Sequence, residues 1–223
     1  MKRIIISLVG LCLVMGLAAY ARSKFDDQFN DTTEALNSFL SETHGIPPAV
    51  LERARCILVC PKPKHTAFAV GPGSKGCTLV CRGEHGSMTG KGWGPPVMYT
   101  MSGSAGHLAD YVFLMMTERS TDEILKGRLT LGADLTVAAG PSSNASFESS
   151  ERNADILVYS GNEGSLGTSE FLGKNTIKVD AAANDELYGK PADAKQIVSR
   201  NVSTPVAAEP LVDLLNRKAP RAR

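Results

Sequence analysis

Hydrophobic and polar positions follow one period at the start of the chain and another further on. Between Phe25 and Leu40 the apolar residues return at helical spacing, while Asp and Asn occupy the opposite side. This stretch contains no Lys or Arg, which a helix lying on a membrane surface normally carries. We therefore expect an amphipathic helix that packs on the domain. A short second helix is predicted at Ala49–Ala54, after the break at Gly45–Pro48.

From Cys56 onward the apolar residues form short runs, separated by Gly and Pro. This pattern is typical of strands joined by tight turns and favours a hairpin-connected, antiparallel sheet. Capping-box spacing of Ser120 and Glu123 predicts a short helix that ends at Gly127, and Ala182–Tyr188 predicts a last helical turn. The predicted strands are Cys56–Cys60, His65–Val70, Gly76–Arg82, Val97–Ser102, Asp110–Met116, Arg128–Ala139, Asp155–Ser160 and Thr176–Asp180.

The first residues have the pattern of an export signal. Lys2 and Arg3 precede an apolar run from Ile4 to Leu17, which is followed by the small-residue sequence Ala19–Ala21. This order predicts a cleavable secretory signal over residues 1–21, and hence a periplasmic or secreted protein. A retained anchor is the alternative, but the run is shorter than the roughly 20 residues that a spanning helix needs.

The rest of the chain is predicted to hold one domain, residues 22–190, and a mobile basic tail, residues 191–223. The tail is polar and interrupted by proline, with a short helix expected at Leu211–Leu215. Removal of the signal takes away two basic residues and no acidic one, so the formal net charge changes from +1 to −1. A near-neutral chain lacks the strong positive charge that nucleic-acid binding requires, so we expect no nucleic-acid partner.

Four cysteines follow the signal, with Cys56 and Cys60 on one predicted strand and Cys77 and Cys81 on another. Residues four apart on a strand point to the same face, so each pair presents two thiols on one side. If the two strands are adjacent and antiparallel, Cys56–Cys81 and Cys60–Cys77 disulfides can form, although four cysteines allow three connectivities. A four-thiolate zinc site and free buried thiols are the alternatives, and an oxidising compartment favours disulfides.

Catalytic motifs are absent from the sequence. Gly71–Thr78 has the glycine frame of a phosphate-binding loop, but Cys77 stands where the lysine is required, and the segment joins two predicted strands. The sequence has no G-x-S-x-G elbow and no H-E-x-x-H spacing. Single carboxylates such as Asp110 and Asp134 are more typical of structural hydrogen bonds than of catalysis. We therefore expect neither enzyme activity nor a metal or cofactor.

The segment from Leu125 to Pro141 resembles the signature of the SYLF-domain family of lipid-binding modules. The residues that carry the resemblance most specifically are Thr130, Leu131, Gly132, Ala133, Asp134 and Gly140. Flanking matches extend it to about residues 30–189, through Ile46–Pro48, Trp93 with Pro96 and Tyr99, and Ala154–Ser160. The cysteine pairs are not expected of the family, and Gly103–Asp110 is shorter than its usual pattern.

The resemblance implies a β-rich α+β fold, an antiparallel sheet or partly closed barrel with N-terminal helices. It also implies binding of anionic phospholipid without catalytic residues. Some eukaryotic relatives bind phosphoinositides, and one branch bundles actin; for an exported chain, the ligand implied is envelope phospholipid. A protein partner in the envelope is the alternative function.

A phospholipid phosphate needs a cationic cluster beside apolar surface. Basic residues lie at or near several predicted turns, and they form one patch if the hairpins bring those turns together. Single solvated lysines on turns are ordinary, so the interpretation depends on the cluster. The residues concerned are Lys62, Lys64, Lys75, Arg82 and Lys91, and the basic residues of the tail are a second candidate.

Overall fold

The computed structural model of the chain describes residues 25–41, 45–62, 74–83, 92–103, 109–133, 135–140, 153–161, 175–199 and 202–219. The helices are α1 (residues 25–41), α2 (Pro48–Arg53), α3 (Glu118–Leu125), α4 (Ala181–Tyr188), α5 (Ala194–Val198) and α6 (Glu209–Lys218). A 3-10 turn, Val206–Ala208, leads into α6. The strands are β1 (Cys56–Cys60), β2 (Ser74–Cys81), β3 (Val97–Ser102), β4 (Tyr111–Met115), β5 (Arg128–Thr130), β6 (Val137–Ala139), β7 (Ile156–Ser160) and β8 (Thr176–Val179).

The eight strands form one sheet in the order β5-β8-β3-β2-β1-β4-β7-β6. Neighbouring strands are antiparallel except β6 and β7, which are parallel. This arrangement confirms the α+β class and the antiparallel, hairpin-rich sheet predicted from the sequence.

The sheet is curled into a half-barrel, and its connectivity shows why. Strands β5 and β6 lie at opposite edges, yet only the short link Leu131–Thr136 joins them. Seven strand spacings would place the edges of a flat sheet about 34 Å apart, whereas this link reaches at most about 25 Å. The edges must therefore approach each other, and the link crosses the concave side.

Each face of the sheet has its own hydrophobic cluster, because successive strand residues point to opposite sides. The concave face carries all four cysteines and Leu58, and α3, α5 and the link cover it through Ile124, Ile197, Leu131 and Leu135. The convex face carries Ile57 and Leu114, and α1, α2 and α6 cover it through Phe29, Leu36, Leu51, Leu211 and Leu215.

Helix α1 packs on the convex face, as its pattern predicts. Phe29 and Leu36 are fully buried, and the buried Thr32 hydroxyl lies 3.2 Å from the Thr78 hydroxyl of β2. Gln28 approaches β2 so closely that a Cβ on Gly76 would lie 2.8 Å from its Oε1 atom. A side chain at position 76 would therefore require the Gln28 side chain to move.

Two local predictions are wrong in detail. The expected strand Arg128–Ala139 is two short strands on opposite edges of the sheet. The N-cap of α3 lies three residues before the predicted cap, at Thr117. The Thr117 hydroxyl accepts a hydrogen bond from the Ser120 backbone N–H, and the Ser120 hydroxyl accepts one from the Thr117 backbone N–H. Ser120 thus fills the third position of the capping box. The predicted strand His65–Val70 lies outside the described residues.

Much of the segment predicted to be a mobile basic tail, residues 191–223, is folded where the structure describes it. Residues 191–199 and 202–219 form α5, the 3-10 turn and α6, which pack on the sheet. Ile197 is fully buried against the concave face, and Leu211 and Leu215 are fully buried against the convex face. The folded unit therefore continues past residue 190, because these apolar side chains complete both clusters.

Candidate functional site

Both cysteine pairs are disulfides that join β1 to β2. Cys56 is bonded to Cys81, directly opposite it on the antiparallel ladder, and Cys60 is bonded to Cys77, one position beyond the last paired residues Val59 and Thr78. The strands thus fix the pairing that the sequence left open, and the zinc-site and free-thiol alternatives are excluded. All four cysteines are buried on the concave face, so the disulfides lock the central hairpin. Two disulfides are typical of a protein that works in an oxidising compartment.

The family signature forms the closure of the half-barrel. Thr130 ends β5 opposite Thr176, Leu131 is fully buried, and Gly132 has a φ of 79°, which favours glycine. Ala133 is exposed in the turn, and Asp134 lies outside the described residues. Gly140 packs under the Tyr159 ring, where a Cβ would lie 2.0 Å from Cζ. These described positions therefore serve the crossing from one sheet edge to the other.

Asp155 accepts hydrogen bonds from Thr136, the last residue of the link Leu131–Thr136. Its Oδ2 accepts hydrogen bonds from the Thr136 backbone N–H at 3.0 Å and from the Thr136 hydroxyl at 2.9 Å, while Oδ1 accepts from the Thr117 hydroxyl at 2.7 Å. Burial by itself would raise the pKa of the Asp155 carboxyl, but these hydrogen bonds and nearby Arg119 together hold it below its ordinary value. One carboxylate thus joins the link, β7 and the cap of α3.

Lys75, one of the five predicted phosphate-binding cations, is fully buried in β2. Its Nζ donates to the Ala109 carbonyl at 2.7 Å and lies 4.4 Å from the centre of the Tyr111 ring. Burial lowers the pKa of Lys75 to about 7, although the charge of Asp110 opposes the shift. Lys75 belongs to the interior of the concave side and is not an exposed turn residue.

Arg82 is also buried and holds the C-terminal helix. Its Nε donates to the Ala54 carbonyl at 2.9 Å, and its Nη2 donates to the carbonyls of Leu51 at 2.9 Å and Ala219 at 2.8 Å. The guanidinium carbon lies 4.2 Å from the centre of the Trp93 ring, whose Nε1 donates to the same Ala219 carbonyl. Arg82 therefore joins α2, β2 and the end of α6.

Of the remaining predicted cations, Lys62 is described and exposed. It follows β1 at the end of the sheet where Cys60 lies, and its backbone N–H donates to Asp110. Arg82 follows β2 at the other end, about 25 Å away along that strand. Lys64 and Lys91 are outside the described residues. The described cations Lys62, Lys75 and Arg82 therefore do not form one exposed patch.

A surface groove that was not predicted from the sequence lies between α1 and α6. The groove has a volume of about 820 Å³ and is lined by Asn30, Glu34 and Asn37 of α1 and by Glu209, Asp213 and Arg217 of α6, among others. The amphipathic pattern of α1 indicated which face packs, but the sequence did not reveal that a C-terminal helix lies beside its polar face.

Within the described ranges, no group of three or more His, Cys, Asp or Glu side chains is arranged to hold a metal ion. In the same part of the chain, no helix has the length and hydrophobicity to cross a membrane. The disulfides, the hydrogen bonds of Asp155 and those of the buried Lys75 and Arg82 all stabilise the interior of the domain. These features define the molecule as a disulfide-locked α+β half-barrel domain.

Comparison with known families agrees with this class. The family model described as "Ysc84: Las17-binding protein actin regulator" matches residues 99–218, more than half of the chain. The chain belongs to this family, whose domain is the SYLF domain, so the resemblance seen in the sequence is confirmed. The match runs through α6, which supports a folded unit that includes the C-terminal helices.

Three yeast proteins illustrate the relationship. Protein YSC84 of Saccharomyces cerevisiae is 29% identical over 194 residues, which cover 82% of this chain and 40% of that protein. LAS seventeen-binding protein 3 of the same species is 27% identical over 82% of this chain and 41% of its own length. SH3 domain-containing protein PJ696.02 of Schizosaccharomyces pombe is 28% identical over 92% of this chain and 50% of that protein. The chain thus spans half or less of these relatives.

Proposed function

We propose that the protein is exported and acts without catalysis, by binding anionic phospholipid at a membrane surface. Export is supported by the signal pattern of residues 1–21 and by the two disulfides, which form in oxidising compartments. A binding role is supported by membership of a family named for a binding protein. The lipid ligand is what the SYLF resemblance implies.

The lipid proposal is carried by family membership, and among the described candidate cations Lys62, at the Cys60 end of the sheet, is the exposed one. Lys64 follows it two residues later in the sequence. Basic side chains close to an anionic membrane contribute about 1 kcal/mol each. Because Lys75 and Arg82 are buried, the proposal assigns the contact to Lys62 and Lys64 instead of to all five cations.

Liposome co-sedimentation tests this proposal. The mature chain from Arg22 is mixed with vesicles of phosphatidylcholine alone or with added phosphatidylglycerol. We expect binding only to the anionic vesicles, and at least about tenfold weaker binding for Lys62→Glu with Lys64→Glu. The matched control, Lys190→Glu with Lys195→Glu, reverses two exposed charges elsewhere and leaves binding unchanged. Absence of binding to either vesicle would refute the lipid ligand.

A protein partner in the envelope is the second proposed function. Two observations favour it: one of the relatives is named LAS seventeen-binding protein 3, and a surface groove lies between two helices of the described chain. Affinity capture from envelope extract, followed by mass spectrometry, tests it. A single protein retained at high salt, without co-purifying lipid, would favour this function over the first.

A further inference from the structure

The groove between α1 and α6 is a preformed surface feature. The end of α6 is held at Ala219 by Arg82 and Trp93, and the Asn216 side chain accepts a hydrogen bond from the Trp93 backbone at 3.0 Å. On the other wall, Phe29 and Leu36 anchor α1 in the convex cluster. Both walls are therefore fixed by buried contacts, so a ligand need not order the groove before binding.

The charge of the groove favours a positive ligand. The α1 wall contributes Glu34, and α1 carries no basic residue within residues 25–41. The α6 wall adds Glu209 and Asp213, against which Arg217 is the basic residue lining the groove. An anionic membrane would be repelled from this face, whereas Lys or Arg side chains would be attracted.

The groove also offers apolar contacts. Val206 lies at its rim and is 70% exposed. Among the residues that the structure describes, it is the one large hydrophobic side chain that is exposed. Leu214 lines the same groove from α6 and lies at its base, since it is almost fully buried. Carboxylates beside an apolar strip match a segment that carries both basic and aliphatic side chains.

We propose that this groove binds a segment of a partner protein in which Lys or Arg side chains meet Glu34, Glu209 and Asp213 while an aliphatic side chain covers Val206. The proposal rests on the protein-partner function and gives it a location and a chemical class of ligand. It does not depend on the lipid proposal, because Lys62 lies at a loop end of the sheet and not in the groove.

Fluorescence anisotropy with two labelled amphipathic peptides tests the proposal. One peptide combines lysine with leucine, and the other has glutamate in place of every lysine. We expect the lysine peptide to bind and the glutamate peptide not to bind. Glu209→Gln with Asp213→Asn is expected to weaken binding about tenfold, since two charge pairs of roughly 0.5–1 kcal/mol each are removed. Val206→Ser is expected to weaken binding severalfold.

The control variant is Glu118→Gln with Asp122→Asn. These two exposed acids have the same spacing at the start of α3, which packs on the concave side. Equal loss in the control, or equal binding of both peptides, would overturn the proposal. Self-association detected by analytical ultracentrifugation and abolished by the groove variant would instead assign the groove to a second copy of the chain. Liposome binding of the groove variant separates the two functions, because it should equal that of the wild type.

Discussion

The two faces of the curled sheet are covered in different ways. The concave face is closed by covalent bonds and buried polar contacts: two disulfides, the link from Leu131 to Thr136, the hub at Asp155 and the buried Lys75. The convex face is covered by helices from both ends of the described chain, which leave a groove between them. The cysteines and Lys75, which the sequence singled out, thus lie on the concave side. On the convex side, the groove is formed by the packing of two helices.

If the concave face depends on its covalent lock, the disulfides should give the largest effect on stability. Cys56→Ala with Cys81→Ala removes a bond that closes 25 residues, and Cys60→Ala with Cys77→Ala removes one that closes 17. Each change is expected to lower the free energy of unfolding by about 3 kcal/mol, because the unfolded chain gains conformational entropy. Urea denaturation measures this, and a loss below about 1 kcal/mol for both variants would contradict the lock.

The packing of the signature against the sheet gives the next effect. Gly140→Ala would place a Cβ 2.0 Å from the Tyr159 ring, so the ring or the strand must move. We expect a loss of about 2 kcal/mol in the free energy of unfolding. Gly161→Ala is the control, since its Cβ would meet Asp110 at an ordinary 3.5 Å, and its stability should change little. Equal effects of the two substitutions would show that the signature glycine has no special packing role.

Burial of Lys75 predicts a pH dependence of stability. Its pKa is about 7 in the folded protein and 10.5 when exposed, so between these values the unfolded state binds more protons. The free energy of unfolding should therefore rise with pH above 7, by about 2 kcal/mol between pH 7 and 9. Urea denaturation at several pH values should show this slope in the wild type and in the Lys62→Met control, and not in Lys75→Met. A slope that persists in Lys75→Met would assign it to another group.

The sequence predicted local structure better than it predicted neighbours in space. Strands β1 and β3 have the predicted bounds, because Gly, Pro and apolar runs mark them clearly. The segment after Arg128 was expected to be one strand, since no local signal shows that its two halves lie on opposite sheet edges. Lys75 looked like a turn residue because its burial is caused by Ala109 and Tyr111, which are more than thirty positions away. The groove was missed for the same reason.

Substitution of the acidic residues of the groove should have the smallest effect on the free energy of unfolding. The polar residues of the concave side stabilise the fold, whereas these residues of the convex side are expected not to. Glu209 and Asp213 are exposed on α6, and Glu209 lies in its first turn, where neutralisation removes only a weak interaction with the helix dipole. Glu209→Gln with Asp213→Asn should therefore change the free energy of unfolding by less than about 0.5 kcal/mol. Thermal and urea denaturation, compared with Glu118→Gln with Asp122→Asn, measure this change. A loss of free energy of unfolding as large as that of Gly140→Ala would mean that Glu209 and Asp213 hold α6 in place. The polar residues of the convex face would then stabilise the fold as much as those of the concave face.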